Sequence, residues 1–312
     1  MFKKTVLAAA LCVAAVLAGS ASAQQQQYIP LISKGFQHQF WQAVKSGAEQ
    51  AGKDYNVRIT FEGPETEAMV DKQIDMLSSA LAKHPNAIGF AALDSKAAIP
   101  LLKKAQAAKI PVVAFDSGVD SDIPVTTATT DNRAAAAMAA DKLAQLIGNA
   151  GEVAVVAHDQ TSRTGVDRRD GFIERMKTAH PNVKIVSVQY GGGDHLKSTE
   201  IAKSILQSSP NLKGMFGTNE GSAIGIVNAV KETKHKIVIV GYDSGKLQKD
   251  AIRDGTMAGA ITQNPVGIGY KTVEAAVKAL KGEKLPKVID TGFYWYDKSN
   301  IDDPKIAAVL YD

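Results

Sequence analysis

The chain has 312 residues, 45% of them hydrophobic, with 36 lysines and arginines against 32 aspartates and glutamates and a formal net charge of +4. That near-balance argues against nucleic acid or an anionic surface as the main partner, and the apolar share suffices for one large domain or two medium ones. The single cysteine, Cys12, lies in an N-terminal leader, so beyond it the chain holds no disulfide, thiolate nucleophile or cysteine metal ligand.

Residues 1–23 read as a secretory signal: Lys3 and Lys4 form a basic start, 5–17 an apolar run, and Ala21-Ser22-Ala23 a small-residue cleavage site, with cleavage after Ala23. The apolar run is short against the ~20 residues of a spanning helix. No cysteine stands at the cleavage point to carry a lipid, and no later stretch is long enough to span a membrane. The expected product is a soluble exported protein that opens on the polar leader Gln24–Gln27.

Strand-like and helix-like segments then alternate. Residues 28–32 form the first apolar strand, and the turn Ser33-Lys34-Gly35-Phe36-Gln37-His38-Gln39-Phe40-Trp41 leads into a helix over 43–53. Strands at 57–62, 87–91 and 112–115 enclose helices at 67–83 and 96–108. The rhythm breaks at 123–132, where Pro124 opens a β-branched run and Asp131-Asn132 can cap an alanine-rich helix over 133–146. A second series follows, with strands at 153–157, 183–190, 214–218, 237–242 and 257–262 and helices at 166–179, 196–208, 222–231 and 245–254. Gln263-Asn264-Pro265 interrupts it before a long amphipathic helix over 266–281, a last strand at 291–296 and a short helix at 304–310. Repeated β-α-β units predict parallel sheets covered on both faces. The helix over 266–281 has no obvious slot in the second series, and its return to the first would make both domains discontinuous.

Open α/β folds place ligands at the carboxyl ends of their strands. Those ends carry Asp116-Ser117, His158-Asp159-Gln160, Thr218-Asn219-Glu220, Asp243-Ser244 and Gln263, while Arg168 and Arg169 sit near the start of a following helix. Carboxylates accept from hydroxyls, arginine donates in a planar fork, and amides do both, so the set suits a hydroxyl-rich uncharged ligand. The competing reading has these side chains cap the next helix. Phe40 and Trp41 either plug a helix onto the sheet or offer flat faces to a ring. Catalytic readings are poorer: no Gly-x-Ser-x-Gly elbow presents a nucleophile, the histidines lack metal-ligand spacing, and Gly191-Gly192-Gly193 lacks the lysine of a phosphate loop.

Phe40-Trp41, 112–116, Arg168 before Asp170-Gly171-Phe172, 216–220, 240–243 and 261–265 stand in one order and spacing behind a signal peptide. On these pieces the chain resembles the periplasmic sugar-binding proteins of ABC transporters, in the ribose-binding group. The resemblance implies an α/β fold of two Rossmann-like lobes of the type I periplasmic-binding-protein kind, joined by three hinge crossings near Thr130, Asn264 and Thr291. The N-terminal lobe would be 24–130 plus 265–291 and the C-terminal lobe 131–264 plus 292–312. It implies a monomeric, non-enzymatic periplasmic receptor without cofactor, metal or nucleic acid, which captures a small sugar or polyol and delivers it to a membrane permease. The implied ligand-binding set is Ser33, His38, Phe40, Trp41, Asp116, Ser117, Arg168, Asn219, Tyr242, Asp243 and Gln263, with Phe40 and Trp41 stacking on one sugar face and Tyr242 bordering the other. Departures concern the sugar: Ser117 replaces an arginine, Ala91 an asparagine and Gly193 an aromatic, and the first turn is one residue longer with His38 in place of an asparagine. Alternatives left open are an autoinducer-2-like signal receptor and a carbohydrate-active enzyme on a similar scaffold. A repressor would need a DNA-binding helix pair where the leader stands.

Overall fold

The computed structural model describes residues 26–312. The signal-peptide assignment to 1–23 and its cleavage site lie outside these residues. Among them, no helix is long and apolar enough to cross a membrane.

The first series comprises β1 (Tyr28–Ile32), α1 (Gln39–Asp54), β2 (Arg58–Glu62), α2 (Val70–Ala82), β3 (Ile88–Phe90), α3 (Ile99–Ala107), β4 (Val112–Phe115) and β5 (Thr126–Thr129). The second comprises α4 (Asn132–Leu146), β6 (Gly151–Ala157), α5 (Arg163–Ala179), β7 (Val183–Tyr190), α6 (His195–Ser208), β8 (Leu212–Gly217), α7 (Glu220–Thr233), β9 (Val238–Tyr242), α8 (Lys246–Arg253) and β10 (Gly259–Gln263). The chain ends with α9 (Pro265–Leu280), β11 (Val288–Asp290), β12 (Phe293–Asp297) and α10 (Pro304–Ala307).

Two six-stranded sheets result, ordered β11-β5-β4-β3-β1-β2 and β12-β10-β9-β8-β6-β7. All pairings are parallel except β10 with β12. The orders match position for position, so the two lobes share one architecture. Each sheet is packed on both faces. In the first lobe Val44, Ala48, Ile268 and Val273 cover one side and Leu77, Phe90 and Leu102 fill the other. In the second, Leu143 and Phe172 lie on one side and Ile226 and Ile252 on the other.

Helix α9 follows a strand of the second sheet yet packs on α1 of the first lobe. Pro265 opens it, and the Asn264 side chain accepts from the Gly267 N–H at 2.9 Å, so the crossing is capped where the chain leaves one sheet for the other. Two glycines let these helices touch. A Cβ on Gly47 would stand 1.9 Å from the Val266 carbonyl oxygen, and one on Gly269 would stand 1.9 Å from that of Val44.

The structure differs from expectation at the last strand. Instead of one strand over 291–296 there are two: β11 joins β5 in the first sheet and β12 joins β10 in the second. The chain turns between them at Gly292, whose φ of +79° favours glycine. Three residues of β11 are too few to show an alternating pattern. Helix α1 begins at Gln39 rather than 43, which puts Phe40 and Trp41 on its first turn. Helix α2 begins at Val70 rather than 67, which leaves Glu67 in the preceding loop.

Candidate functional site

The carboxyl ends of the two sheets enclose a cavity of about 270 Å³, counted to its open edge. The first lobe contributes Lys34, His38, Phe40, Trp41, Glu67 and Asp116. The second contributes His158, Thr164, Arg168, Asn219, Asp243 and Gln263.

Asp116 and Asp243 stand one residue beyond β4 and β9, both with positive φ. The Asp243 carboxylate accepts from the Glu220 N–H at 3.0 Å and from Gln263 Nε2 at 2.7 Å. Gln263 in turn accepts from Thr130 Oγ1 at 2.9 Å, tying together the chain at two of the crossings. Asp116 has no side-chain hydrogen bond among the described residues. Burial pushes its carboxyl up to about 6, and the cations of Lys34 and Arg168 offset this only in part.

Arg168 is fully held. Its Nε donates to Asn132 Oδ1 at 2.7 Å and its Nη1 to the Thr218 carbonyl at 3.0 Å. The Tyr242 ring lies 3.8 Å from Cζ, and the Tyr242 hydroxyl donates to the same Asn132 oxygen at 3.0 Å. Neither guanidinium bond uses Nη2, which remains available as a donor. Tyr242 therefore does not border the cavity as expected. Tyr242 is the last residue of β9 and turns under the arginine, while the left-handed backbone at Asp243 departs from strand geometry and its carboxylate lines the cavity.

Ser33 and Ser117 also lie off the cavity lining. Ser33 Oγ donates to the carbonyls of Gly35 and Glu62 at 3.2 Å, and Ser117 Oγ accepts from the Thr164 N–H at 3.5 Å. Both hydroxyls brace the rim. Phe36 packs edge-on against Phe61 and is absent from the lining.

Phe40 and Trp41 meet at 84° with centroids 5.0 Å apart. Perpendicular rings cannot both lie flat on one sugar face, so one offers a face and the other an edge, which corrects the expectation of a double stack. Trp41 is also core, 1% exposed, and its Nε1 donates to Glu67 Oε1 at 2.7 Å.

His38 precedes α1 and its ring stacks on His195 of the other lobe, 5.7 Å away at 13°. A Cβ at Gly193 would meet the His38 ring at 3.3 Å. The longer first turn thus brings His38 into the room that Gly193 leaves. Asn219 caps α7 by accepting from the Ser222 N–H at 2.9 Å and directs its amide nitrogen towards His38. Capping and site-lining are here the work of one side chain.

Sequence reasoning did not single out Lys34, Glu67 or Thr164 as site residues, and named His158 only among strand-end side chains. Lys34 stands two residues beyond β1 as Asp159 stands two beyond β6, so the strand-end rule applied to those strands finds it. Burial opposes the charge of Lys34, but Glu67 and Asp159 hold its pKa above the usual value. Burial is also the largest single influence on the Glu67 carboxylate and opposes it, yet Lys34, the neighbouring histidines and the Trp41 hydrogen bond together hold the group down to about 2. Burial keeps the His158 imidazole neutral, with Nδ1 2.8 Å from Thr218 Oγ1 and Nε2 3.3 Å from Thr164 Oγ1.

The model of the periplasmic binding protein domain matches residues 29–284. The D-allose-binding periplasmic protein of Escherichia coli (strain K12) is 28% identical over 265 residues, 82% of this chain and 85% of its own. An ABC transporter solute-binding protein from Agrobacterium vitis, bound with α-D-tagatopyranose, superposes with a TM-score of 0.89 at 30% identity, covering 92% of this chain and all of its own. A second from Agrobacterium vitis, with bound D-fucose, has a TM-score of 0.88 at 34% identity and covers 91% of this chain and 100% of its own.

Proposed function

Since the chain belongs to the periplasmic binding protein domain family, we propose that it is an exported receptor that encloses one uncharged monosaccharide between its lobes and passes it to the permease of an ABC importer. The carrying observation is the pairing of an unsatisfied carboxylate, Asp116, with a clamped guanidinium, Arg168, across one small cavity. A buried carboxylate without donors is costly. Sugar hydroxyls supply those donors, and a pyranose also presents a face to Phe40 or Trp41. Related proteins are named for D-allose and ribose, and similar solved structures hold α-D-tagatopyranose, D-arabinose and D-fucose, so hexoses, pentoses and a deoxyhexose all occur among them.

In this reading Asp116, Arg168, Asn219, Asp243 and Gln263 bond the hydroxyls, and His38, Phe40 and Trp41 shape the first-lobe wall. Ser33, Ser117 and Tyr242 support them from behind. The lobes are 24–130 plus 265–291 and 131–264 plus 292–312, which accords with β11 in the first sheet and β12 in the second. Closure on the ligand is favoured because only the closed form lets both lobes contact it. The receptor acts as a monomer and leaves its sugar chemically unchanged.

A thermal-shift panel of hexoses, deoxyhexoses, pentoses, polyols and autoinducer-2 tests the proposal. A sugar at about a hundred times its Kd adds about 2.7 kcal/mol to stability. Mass spectrometry should recover it unaltered after long incubation. A melt moved by nucleosides or amino acids and by no carbohydrate overturns the reading.

A further inference from the structure

Lys34 belongs to the first lobe and is 2% exposed. Its own lobe gives it one carboxylate, Glu67 Oε2 at 3.7 Å. The Asp116 carboxylate of the same lobe adds a longer-range attraction, while the other ion-pair and hydrogen-bond partners come from the other lobe: Asp159 Oδ2 at 3.6 Å, Ser162 Oγ at 3.4 Å and Thr164 Oγ1 at 3.3 Å. Both carboxylates are fixed without the lysine. Glu67 accepts from Trp41 Nε1 at 2.7 Å. Asp159 accepts from Ser162 Oγ at 2.6 Å, the Ser162 N–H at 2.7 Å and the Thr161 N–H at 2.9 Å.

Each lobe thus presents a preset carboxylate to the seam, and one ammonium lies between them. When the lobes part, Asp159, Ser162 and Thr164 go with the second lobe and Lys34 keeps Glu67. The three-centre arrangement exists only in the closed form, where burial makes charge interactions strong. Without the lysine, closure would press two carboxylates together with no cation between them, while the open form would leave both in water.

We propose that Lys34 is a positioning residue that latches the closed form through Asp159, acting on the closure equilibrium common to all ligands rather than on the choice among them. This rests on the reading of the chain as a two-lobed sugar receptor. It differs from a ligand contact in a measurable way: a latch weakens every sugar by one factor, whereas a contact weakens some epimers more than others.

The test compares wild type with Lys34→Met, Asp159→Asn and the double variant. Isothermal titration gives affinities for at least three binding sugars. Spin labels at cysteines replacing Lys72 and Lys197, exposed on α2 and α6, report the interlobe distance without sugar; the chain's own cysteine, Cys12, lies in the leader. Lys34→Met should weaken all sugars about equally, by roughly ten- to a hundredfold, shift the unliganded distances outwards and leave the unliganded fold intact by circular dichroism. Asp159→Asn keeps a side-chain oxygen for the Ser162 and Thr161 N–H groups and removes the charge. Added to Lys34→Met it should recover part of the lost affinity. A changed rank order of sugars, strictly additive losses, or unaltered affinity and distances would overturn the latch. If wild type binds no carbohydrate, the receptor reading fails on that result alone, and the unliganded distances of wild type and Lys34→Met still decide the latch: identical distributions refute it.

Discussion

Asp116 and Asp243 occupy the same place in the two sheets, each one residue past its strand and each in the left-handed region, with φ of 53° and 78°. Their N–H groups donate alike to the next strand, to Ala128 at 2.9 Å and to Ile261 at 2.7 Å. A non-glycine residue there gives up roughly 1–2 kcal/mol, and aspartate and asparagine tolerate it best. The conformation matches, but the side chains do not have equal partners. Each Asp243 oxygen already accepts one hydrogen bond from the protein, whereas the Asp116 carboxylate accepts none among the described residues.

Asp116→Asn should therefore cost more than a hundredfold in sugar affinity without harming the fold. The sign follows from the raised pKa. A carboxyl lifted from 3.8 to about 6 holds its proton longer in the closed form, so stability falls as pH rises from about 4 to about 6 and the full cost stands above that. At pH 7 the asparagine removes this cost, by at most about 3 kcal/mol. Calorimetry of the unliganded variant at pH 7 should show a melting temperature no lower than wild type, and titration calorimetry should show the lost binding.

Tyr242 separates support from contact. Tyr242→Phe keeps the ring beneath Arg168 and loses one hydrogen bond to Asn132, worth about 1 kcal/mol. Affinity should fall by less than about tenfold. Tyr242→Ala also empties a fully buried site, which typically costs about 3–5 kcal/mol of stability for a large aromatic, and frees the guanidinium. Urea unfolding and titration of both variants check the contrast. Comparable binding losses would place the tyrosine hydroxyl on the sugar after all.

Acid should open the seam in a separate pH window. Glu67 is held down from 4.5 to about 2, against its burial, by Lys34 together with His38, His158 and the Trp41 hydrogen bond. Its contribution is present above about pH 4.5 and is lost as pH falls towards 2, a change on the order of 3 kcal/mol. Glu67→Gln should flatten the stability profile over that window. Denaturant melts of the sugar-bound forms between pH 2 and 6 provide the comparison.

The α1–α9 contact admits no Cβ. Gly269→Ala should destabilise the first lobe by about 1–3 kcal/mol, since its neighbour is the Val44 backbone and cannot swing aside. The second lobe should be unaffected. Hydrogen exchange, read lobe by lobe, should show faster exchange in α1 and α9 and no change in α6 and α7.

Much of this site was legible because strand ends announce themselves. Asp116, Asn219 and Asp243 each follow a buried apolar run, and a polar side chain at that point faces the gap by geometry alone. Glu67 gave no such sign, because its charge made it look like the first turn of α2. The pull on Lys34 comes from Asp159, 125 positions away in sequence, and no local pattern records it. Tyr242 was misplaced for a different reason. It sits at a strand end beside Asp243, and its place behind the cavity is set by Arg168 and Asn132, contacts distant in sequence that no local pattern records. Strand β11 escaped notice because three residues carry no period.

The return of α9 to the first lobe has a consequence for how the chain comes into being. The core beneath α1 includes Ile268, Val273, Ala276 and Val277, supplied by α9. A ribosome must deliver nearly the whole polypeptide before the part made first can finish its own interior. The second lobe's core draws on residues emerging between, so the half synthesised later has most of what it needs sooner. A nascent chain stopped before Pro265 would expose the apolar face of α1, a natural hold for any chaperone that keeps the protein unfolded until its last 48 residues appear.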